Sequence, residues 1–493
     1  MFRRQFAPRI RVGLWLAAAV LAFPAAAAGQ VRADAGPPSD TVYFDYLDEA
    51  GTLRGGRVDI LVTPWKGVKT MPARWFSDIL RDGPVGNRID LVTVGDGYLQ
   101  TQLPLYHNHV NAALGTMFDV EPFKTYANYF NRHVVDVVSN QAGVDHDPTY
   151  PIWRDTALDM GFWCNNMERL LCVDVGKAYT FAQNAPDVDM VLAVANSTKY
   201  GGAGYSSANL ATVSGGNGSA AEVALHEFGH SLGDLADEYD YGGGTVYSGP
   251  EPTERNVSKL TSTQMAASGT KWARWLNFFH SGYDGLISTY EGAYYYQRGI
   301  YRPTNNSRMR ALNRPFNLPC AEGLVIEIYK IVDPIDDSTP TGQTLTGQEV
   351  VFVTPLEPIG HALDIQWTLD GQPLAGATQA TLDLRALRLL PGDYVLGVTV
   401  VDNTWFVRDE PARAQWLTER RTWNVHVVIY PGDLDCNRLI DFNDINPFVL
   451  ALTDPQAYQA HYPSCPLQNG DVNGDGQVNF GDVNPFVALL SGS

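Results

Sequence analysis

The chain has 493 residues, of which 45% are hydrophobic and 18% are charged, so it is long enough for several domains and lacks the composition of a disordered protein. Its net charge of -19 is unfavourable for contact with the phosphates of nucleic acids. These numbers exclude a nucleic-acid-binding protein and favour a multidomain globular one.

The N-terminus is typical of an export signal. A basic start is followed by an apolar stretch from Val12 to Phe23 and by the small-residue cleavage site Ala26-Ala27-Ala28. The apolar stretch is too short for a transmembrane helix and ends at Pro24. We predict that residues 1–28 are a signal peptide and that the mature protein is secreted or extracytoplasmic.

Export would place the cysteines in an oxidising compartment, where disulfides form. Cys164 and Cys172 are near enough in sequence to close a short loop, and Cys436 and Cys465 lie together near the C-terminus. These two pairings are hypotheses, and Cys320 is then expected to be a small buried residue.

Strand-like alternation from Val42 to Val62 predicts a small N-terminal β domain over residues 41–86. The apolar run from Arg88 to Tyr98 predicts a buried strand that ends in a glycine-rich turn. It begins a region of alternating strand and helix patterns, so an α/β domain is predicted over residues 87–330.

A second buried strand is predicted at Met190–Asn196, followed by a glycine-rich turn at Gly201–Gly204. An extended substrate peptide could bind here by strand addition. Residues 331–342 are rich in Asp, Pro, Ser and Thr and predict a linker. Short strands and turns in residues 343–430 then predict an immunoglobulin-like β-sandwich for spacing or binding.

The segment His226-Glu227-Phe228-Gly229-His230 predicts a metal site on a helix. Residues at i and i+4 lie on one helix face, so both imidazoles can reach one Zn²⁺. Glu227 is placed to accept a proton from the metal-activated water that attacks a peptide carbonyl. It is the predicted catalytic base.

A third ligand is expected from the residues that follow. Gly233 lets the helix end and the chain turn back towards the metal. Asp234, Asp237 and Glu238 come next and offer hard oxygen ligands. His107 and His109, at i and i+2, would face different sides of a helix and are expected to be structural or exposed.

The stretch from His226 to Tyr239 resembles the signature of the IgA-peptidase family of bacterial, metzincin-like zinc metallopeptidases. The resemblance covers roughly residues 41–330 and includes Gly95–Tyr98, Val120–Phe123, Gly143–His146, Arg154–Ala157, Tyr200–Gly202, Tyr301–Pro303 and Ser307–Arg310. It implies a zinc metalloendopeptidase domain with an N-terminal β domain and a protein or peptide substrate.

The third ligand is where the sequence departs from the metzincin pattern. Metzincins place a His or Asp six residues after the second histidine, and that position is Ala236 here. We favour Asp237, with Glu238 as the alternative. Met309 occupies the place where the resemblance puts a methionine beneath the zinc, although a simple core methionine is an equal interpretation.

An internal repeat occupies residues 431–493, where Gly432 to Leu452 aligns with Gly470 to Leu490. Its loops have the oxygen-ligand spacing of EF-hand calcium sites. The first site is predicted to use Asp433, Asp435, Asn437, Leu439 (backbone carbonyl), Asp441 and Asp444. The second is predicted to use Asp471, Asn473, Asp475, Gln477 (backbone carbonyl), Asn479 and Asp482. Two structural Ca²⁺ ions are therefore expected, with the two copies packed together.

This α-helical EF-hand layout resembles a type I dockerin, which implies assembly or anchoring through a cohesin-like or cell-surface partner. Loop positions 10 and 11 are Phe442-Asn443 and Phe480-Gly481, not the Ser/Thr pairs typical of cellulosomal dockerins. Position 6 is Gly476 in the second loop and Arg438 in the first, which weakens the first loop.

Two alternative functions remain open at this point. One is a catalytically inactive binding or adhesion protein on a peptidase scaffold. The other is a zinc amidase that acts on cell-wall peptides. The intact His226, Glu227 and His230 favour the peptidase over the binding protein.

Overall fold

The computed structural model describes residues 39–48, 52–61, 76–80, 83–347, 349–387, 389 and 392–491. The predicted signal peptide and part of the predicted N-terminal β domain, residues 62–75, lie outside the described residues. The chain divides into two compact units. Unit 1 comprises the chain up to Val332 with 358–360 and 405–409, and unit 2 comprises 333–357, 361–404 and the chain from Glu410.

Unit 1 has strands and helices that alternate along much of the chain. The strands are β1 (Ser39–Leu47), β2 (Leu53–Leu61), β3 (Phe76–Leu80), β4 (Ile89–Asp96), β5 (Phe130–Val135), β6 (Met190–Ala195), β7 (Gly202–Tyr205), β8 (Leu210–Ser214), β9 (Phe279–His280), β10 (Gly285–Leu286), β11 (Tyr290–Ala293) and β12 (Tyr296–Arg302). The helices are α1 (Leu103–Asp119), α2 (Val175–Ala182), α3 (Ala220–Ser231), α4 (Ser262–Ser268) and α5 (Leu318–Ile331).

The main sheet of unit 1 has eight strands in the order β2-β1-β7-β8-β6-β4-β5-β3. Its central strands β8, β6, β4 and β5 are parallel, and β7, β1, β2 and β3 are antiparallel to their neighbours. Every residue of β4 and β6 is buried. Parallel strands covered on both faces have such continuous apolar runs, as the sequence predicted.

Two sequence predictions about this sheet need correction. Strands β1 and β2 extend one edge of the sheet and β3 lies at the other edge, so the strands described within residues 41–86 belong to the main sheet and not to a separate one. The glycine-rich turn predicted at Gly201–Gly204 is largely the buried strand β7. Local alternation identifies a strand but does not say which strand it pairs with.

Unit 2 begins with two small antiparallel sheets. Its strands are β13 (Ile335–Ser338), β14 (Val350–Pro355), β15 (Asp364–Leu369), β16 (Gln372–Pro373), β17 (Thr381–Asp383), β18 (Gly392–Val401) and β19 (Thr418–Val427), and its helices are α6 (Glu410–Trp416), α7 (Ile445–Thr453), α8 (Pro455–His461) and α9 (Val483–Ser491). The sheets are β13-β14-β17 and β16-β15-β18-β19.

Residues of both sheets share one hydrophobic core around Trp367 and Trp423. This two-layer arrangement has the alternating burial of half-buried antiparallel strands, clearest in β14 and β19. The linker predicted over residues 331–342 contains β13, so the chain enters the sandwich earlier than composition indicated.

The C-terminal repeat forms a small helical core of its own within unit 2. Helices α7 and α9 follow the two loops, and the equivalent residues Phe448 and Phe486 stack with ring centroids 4.1 Å apart. The two copies therefore pack against each other, which buries apolar side chains that neither copy covers alone.

Both expected disulfides are formed, Cys164 with Cys172 and Cys436 with Cys465, while Cys320 is free and buried. Disulfides persist in oxidising compartments. Among the residues described, no helix combines the length and apolar character needed to cross a membrane.

Candidate metal centre

Helix α3 carries three of the predicted site residues into the interior of unit 1. The side chains of His226, Glu227 and His230 are almost completely buried. The helix packs beneath β7 and β8 and against α1, and most of its residues are buried. Burying two imidazoles and a carboxylate is unfavourable unless they have polar partners, so this helix is built around a polar site.

The end of α3 turns the chain back towards the histidines. Asp234 adopts a left-handed conformation, with φ of 50°, and the Leu235 amide donates to the Gly229 carbonyl at 3.0 Å. The Asp234 amide donates to the His230 carbonyl at 3.2 Å, which is the αL capping motif. Gly233 serves a different purpose from the one predicted, because a Cβ there would lie 2.7 Å from the Gly229 oxygen.

The reversal brings Asp237 to the two histidines. Its Oδ1 lies 3.1 Å from Nε2 of His226 and 3.3 Å from Nε2 of His230. The two Nε2 atoms are themselves 3.1 Å apart. Three potential ligand atoms thus form a nearly equilateral triangle in the interior.

Hydrogen bonds fix the histidine tautomers. Nδ1 of His226 lies 3.0 Å from the Arg308 carbonyl, and Nδ1 of His230 lies 2.6 Å from the Leu235 carbonyl. Each Nδ1 therefore donates, which leaves the lone pairs of both Nε2 atoms directed at each other. A cation bound between the two atoms would make that arrangement favourable.

The donor set fits zinc. A tetrahedral Zn²⁺ site with metal–ligand distances of about 2.0–2.1 Å has ligand–ligand edges of about 3.3 Å. The three observed separations are 3.1, 3.1 and 3.3 Å. The residues that would hold the ion are therefore His226, His230 and Asp237. The backbone carbonyls of Arg308 and Leu235 orient the two imidazole rings.

A fourth potential ligand at this site, the carboxylate of Asp45, was missed by the sequence analysis. It lies in β1, and its Oδ2 is 2.5 Å from Nε2 of His226 without accepting a hydrogen bond. The ligand atoms of Asp45, His226, His230 and Asp237 all lie within 4.8 Å of one another. The available signal was an acidic residue within an aromatic strand pattern, Tyr43-Phe44-Asp45-Tyr46.

Tyrosine side chains support the two carboxylates. The Tyr239 hydroxyl donates to Asp45 Oδ1 at 2.6 Å, and the Tyr295 hydroxyl donates to Asp237 Oδ2 at 2.5 Å. The Tyr43 ring stacks on His230 with centroids 4.1 Å apart. These contacts restrict the rotation of three of the four potential ligands.

The carboxylate of Glu227 is buried and has no hydrogen-bond partner for either oxygen. It lies under β7, because a Cβ on Gly204 would be 2.9 Å from Oε2. Burial raises the pKa of Glu227 well above its usual value, and the nearby Asp45 carboxylate raises it further. An unpartnered carboxyl group with a raised pKa is typical of a catalytic acid or base.

The charged groups at the site shift the pKa values of their neighbours in opposite directions. Burial alone would lower the pKa of His226, but the carboxylates of Asp45 and Asp237 outweigh it and hold that pKa well above its usual value. Burial alone would raise the pKa of Asp237, whereas His230 and His226 hold it well below its usual value. The carboxylates of Asp45 and Asp237, which stabilise a positive charge on His226, would stabilise a metal cation at the same place.

The alternative third ligand, Glu238, points away from the metal site. Its two oxygens accept hydrogen bonds from Ser307 (2.7 Å), Asn256 (3.0 Å), Asn317 (3.1 Å) and the Cys320 thiol (3.2 Å). Glu238 therefore stabilises the segment beneath the site.

Met309 is completely buried beneath α3. A Cβ on Gly229 would lie 2.5 Å from its sulfur. Gly229 stands between the two histidines in sequence, so the methionine packs directly on the ligand-bearing turn. His107 and His109 contact Asp136 and Tyr98 respectively and do not share a site.

The two C-terminal loops have matching internal geometry. In the first, Asp444 Oδ1 accepts from the amides of Leu434 and Asp435, and in the second, Asp482 Oδ1 accepts from those of Val472 and Asn473. The Leu439 amide donates to Asn437 Oδ1 at 2.7 Å, and the equivalent Gln477 amide donates to Asp475 Oδ1 at 2.9 Å.

Position 6 of each loop donates its amide to the carboxylate at position 1. The pairs are Arg438 to Asp433 at 3.0 Å and Gly476 to Asp471 at 2.8 Å. Carboxylates of Asp433, Asp435 and Asp444 cluster within metal-binding range, and Asp433 Oδ1 is buried without a hydrogen-bond partner.

The mixed sheet of unit 1, with the buried His-Glu-His helix beneath it, lies largely within the region that a peptidase family model matches. The family model described as IgA peptidase M64 matches residues 78–282 and 278–328, just over half of the 493 residues. The chain belongs to the IgA peptidase M64 family. No curated protein matches the chain.

Proposed function

We propose that this chain is an exported zinc metalloendopeptidase in which His226, His230 and Asp237 hold the ion and Glu227 is the general base. One observation carries the proposal: three ligand atoms converge at 3.1–3.3 Å, with tautomers that leave both Nε2 lone pairs directed inward. Export is supported by the N-terminal sequence and by the two disulfides.

When bound, the ion would act as a Lewis acid that polarises a carbonyl and lowers the pKa of a water molecule. Glu227, adjacent to His226, accepts a proton from the attacking water and passes it to the leaving amine nitrogen. Its two unpartnered oxygens are free for both transfers. The buried surroundings exclude bulk water and strengthen each electrostatic contact.

The C-terminal repeat is proposed to bind two Ca²⁺ ions that stabilise it for assembly or anchoring. The support is the shared loop geometry and the buried unpartnered oxygen of Asp433. Carboxylate and carbonyl oxygens are the ligands that Ca²⁺ prefers. A cohesin-like or cell-surface partner would then bind a module whose fold depends on calcium.

Elemental analysis of the purified chain tests the zinc assignment. We expect about one zinc per chain in the parent, retention in Glu227→Gln, and loss in His230→Ala. A parent chain without zinc, or a His230→Ala chain that keeps it, would contradict the proposal.

Turnover is tested with casein. Glu227→Gln is expected to abolish all cleavage that the parent shows, because Glu227 is the one described carboxylate beside the histidine ligands whose two oxygens both lack a hydrogen-bond partner. Zinc binding with no cleavage under any condition would favour the inactive binding protein. Cleavage of peptidoglycan peptides but not casein would favour the amidase.

A further inference from the structure

The strand β1 lies beside β7, the strand that packs over the metal-binding helix. It pairs antiparallel with β7 through Val42 opposite Tyr205 and Tyr43 opposite Gly204. The other side of β1 pairs with β2 along its whole length, from Ser39 opposite Leu61 to Leu47 opposite Leu53. The hairpin β1–β2 therefore covers that side of β7 at Gly204 and Tyr205.

The edge of β7 is where an extended peptide would have to lie. Gly204 contacts Glu227 and the ligand His230, since a Cβ there would be 2.9 Å from Glu227 Oε2 and 3.2 Å from the His230 Cβ. A peptide that paired with this strand would carry its backbone across the metal site, a common mode of peptide recognition. In this structure β1 already takes that position.

Asp45 extends from β1 into the metal site. Successive side chains of a strand alternate, so Tyr43 and Asp45 lie on the same face, where one stacks on His230 and the other contacts His226. Asp45 is 1% exposed, and the Tyr239 hydroxyl holds it.

The neighbouring strand is shaped around this carboxylate. A Cβ on Gly55 of β2 would lie 1.9 Å from the Phe44 carbonyl oxygen, 2.5 Å from Asp45 Oδ1 and 2.6 Å from the Tyr239 hydroxyl. Any larger residue at this position would displace Asp45 or its partner. The hairpin is therefore fitted to the metal site and does not merely cover it.

We propose that Asp45 is a fourth protein ligand of the zinc ion and that the β1–β2 hairpin thereby holds the peptidase in a latent form, occupying the β7 edge that binds an extended polypeptide substrate. The inference rests on the proposed zinc site. Structural zinc sites have four protein ligands, whereas catalytic sites keep one position open for water or substrate. With Asp45 bound, that position is closed, and activation requires the hairpin to leave β7.

The ligand assignment is tested by metal binding in the full chain. Asp45→Asn is expected to speed zinc loss to a competing chelator by about 10- to 100-fold. Metal affinity typically falls by this factor when a residue that stabilises a metal site is substituted. The visible spectrum of the Co²⁺-substituted variant should also change as a coordination position opens. Asp59→Asn is the matched control, since Asp59 lies exposed on β2 and bonds only Thr41.

Latency is tested by casein cleavage with the same proteins. We expect little cleavage by the parent and by Asp59→Asn, at least tenfold more by Asp45→Asn, and none by the double variant Asp45→Asn/Glu227→Gln. Unchanged zinc loss, Co²⁺ spectrum and cleavage in Asp45→Asn would overturn the inference while leaving the zinc peptidase intact. Absence of zinc from the parent, or cleavage by the double variant, would instead overturn the proposed function.

Hydrogen exchange on the unmodified chain supplies a test that needs no variant. If Asp45 binds the ion, the amides of Tyr43 to Tyr46 should exchange at least tenfold more slowly in the zinc-loaded protein than in the zinc-free protein. The amides of β18 in unit 2 serve as the internal reference. Equal exchange at Tyr43 to Tyr46 in both states would overturn the ligand assignment.

Discussion

At the scale of single residues, Gly233 shows how backbone contact determines the metal site. The left-handed turn after α3 belongs to Asp234, and Gly233 is needed because a Cβ would meet the Gly229 oxygen at 2.7 Å and Leu324 at 2.8 Å. Neither neighbour can yield easily, since one is helix backbone and the other is a buried core side chain.

Gly233→Ala is therefore expected to lower the free energy of unfolding of unit 1 by about 1–3 kcal/mol and to weaken zinc binding by misplacing Asp237. Thermal unfolding with and without added zinc measures both effects. Gly218→Ala is the control, because a Cβ there meets no atom within 4 Å. Equal melting temperatures for the two variants would contradict this account.

His361 in unit 2 provides a pH-dependent contribution to stability. Its Nε2 lies 2.8 Å from Oδ1 of the buried Asp402, and this hydrogen bond raises the pKa of His361 above the usual 6.5. A raised pKa in the folded state adds stability that is complete below about pH 6.5 and is lost as the pH rises through the folded-state pKa.

We expect His361→Gln to reduce the loss of unit 2 stability between about pH 6 and pH 8, measured by urea unfolding at several pH values. His426→Gln is the control, since His426 and Asp393 form an ion pair of largely exposed side chains, and such pairs contribute little. If the two variants have the same pH profile, the Asp402 contact is not responsible.

At the scale of elements, the two calcium loops differ at position 6. Both residues have positive φ, 68° at Arg438 and 86° at Gly476. A residue with a Cβ is less stable in this conformation than glycine by about 1–2 kcal/mol. Part of this advantage of glycine is offset, because glycine has more conformational freedom in the unfolded chain.

Arg438→Gly should therefore stabilise the calcium-bound module by about 0.5–1 kcal/mol, and Gly476→Ala should destabilise it by a similar amount. Calcium titration of both full-length variants, followed by melting temperature, measures the two opposite shifts. Shifts of the same sign would show that backbone conformation at position 6 does not limit calcium binding.

Elements whose signal lies within a short segment could be predicted from the sequence. Helix α3 follows from helical spacing, and the strands β4 and β6 follow from their apolar runs. Strand β7 could not be predicted, because two glycines in a short segment, Gly202 and Gly204, are typical of a turn. The structure shows that they are needed because the Glu227 carboxylate lies close to their backbone. For Asp45 the sequence offered only an acidic residue within an aromatic strand, and its place at the metal site could not be predicted because the pairing of β1 with β7 brings it to His226.

At the scale of the whole molecule, the two units depend on different predicted ions. The metal centre lies wholly in unit 1 and both calcium loops lie in unit 2. A ligand that binds only the folded form raises the stability of the unit that contains its site.

Calorimetry of the full chain should consequently show that His230→Ala lowers one unfolding transition and Asp482→Asn lowers another. Multidomain proteins commonly unfold in separable steps. If either substitution lowered the temperatures of both transitions equally, the two units would unfold as one cooperative block. The two units would then not be independent in stability.

The hairpin β1–β2 remains covalently joined to the chain that carries β7. A tethered occupant competes with free substrate at an effective concentration of about millimolar. The apparent KM of the intact chain for a peptide would therefore be higher than that of the opened enzyme, by a factor set by the equilibrium constant for closing of the hairpin. The value of kcat at saturating peptide would stay the same. Dilution would not relieve this competition, so the enzyme can be secreted into any volume without becoming active through dilution alone.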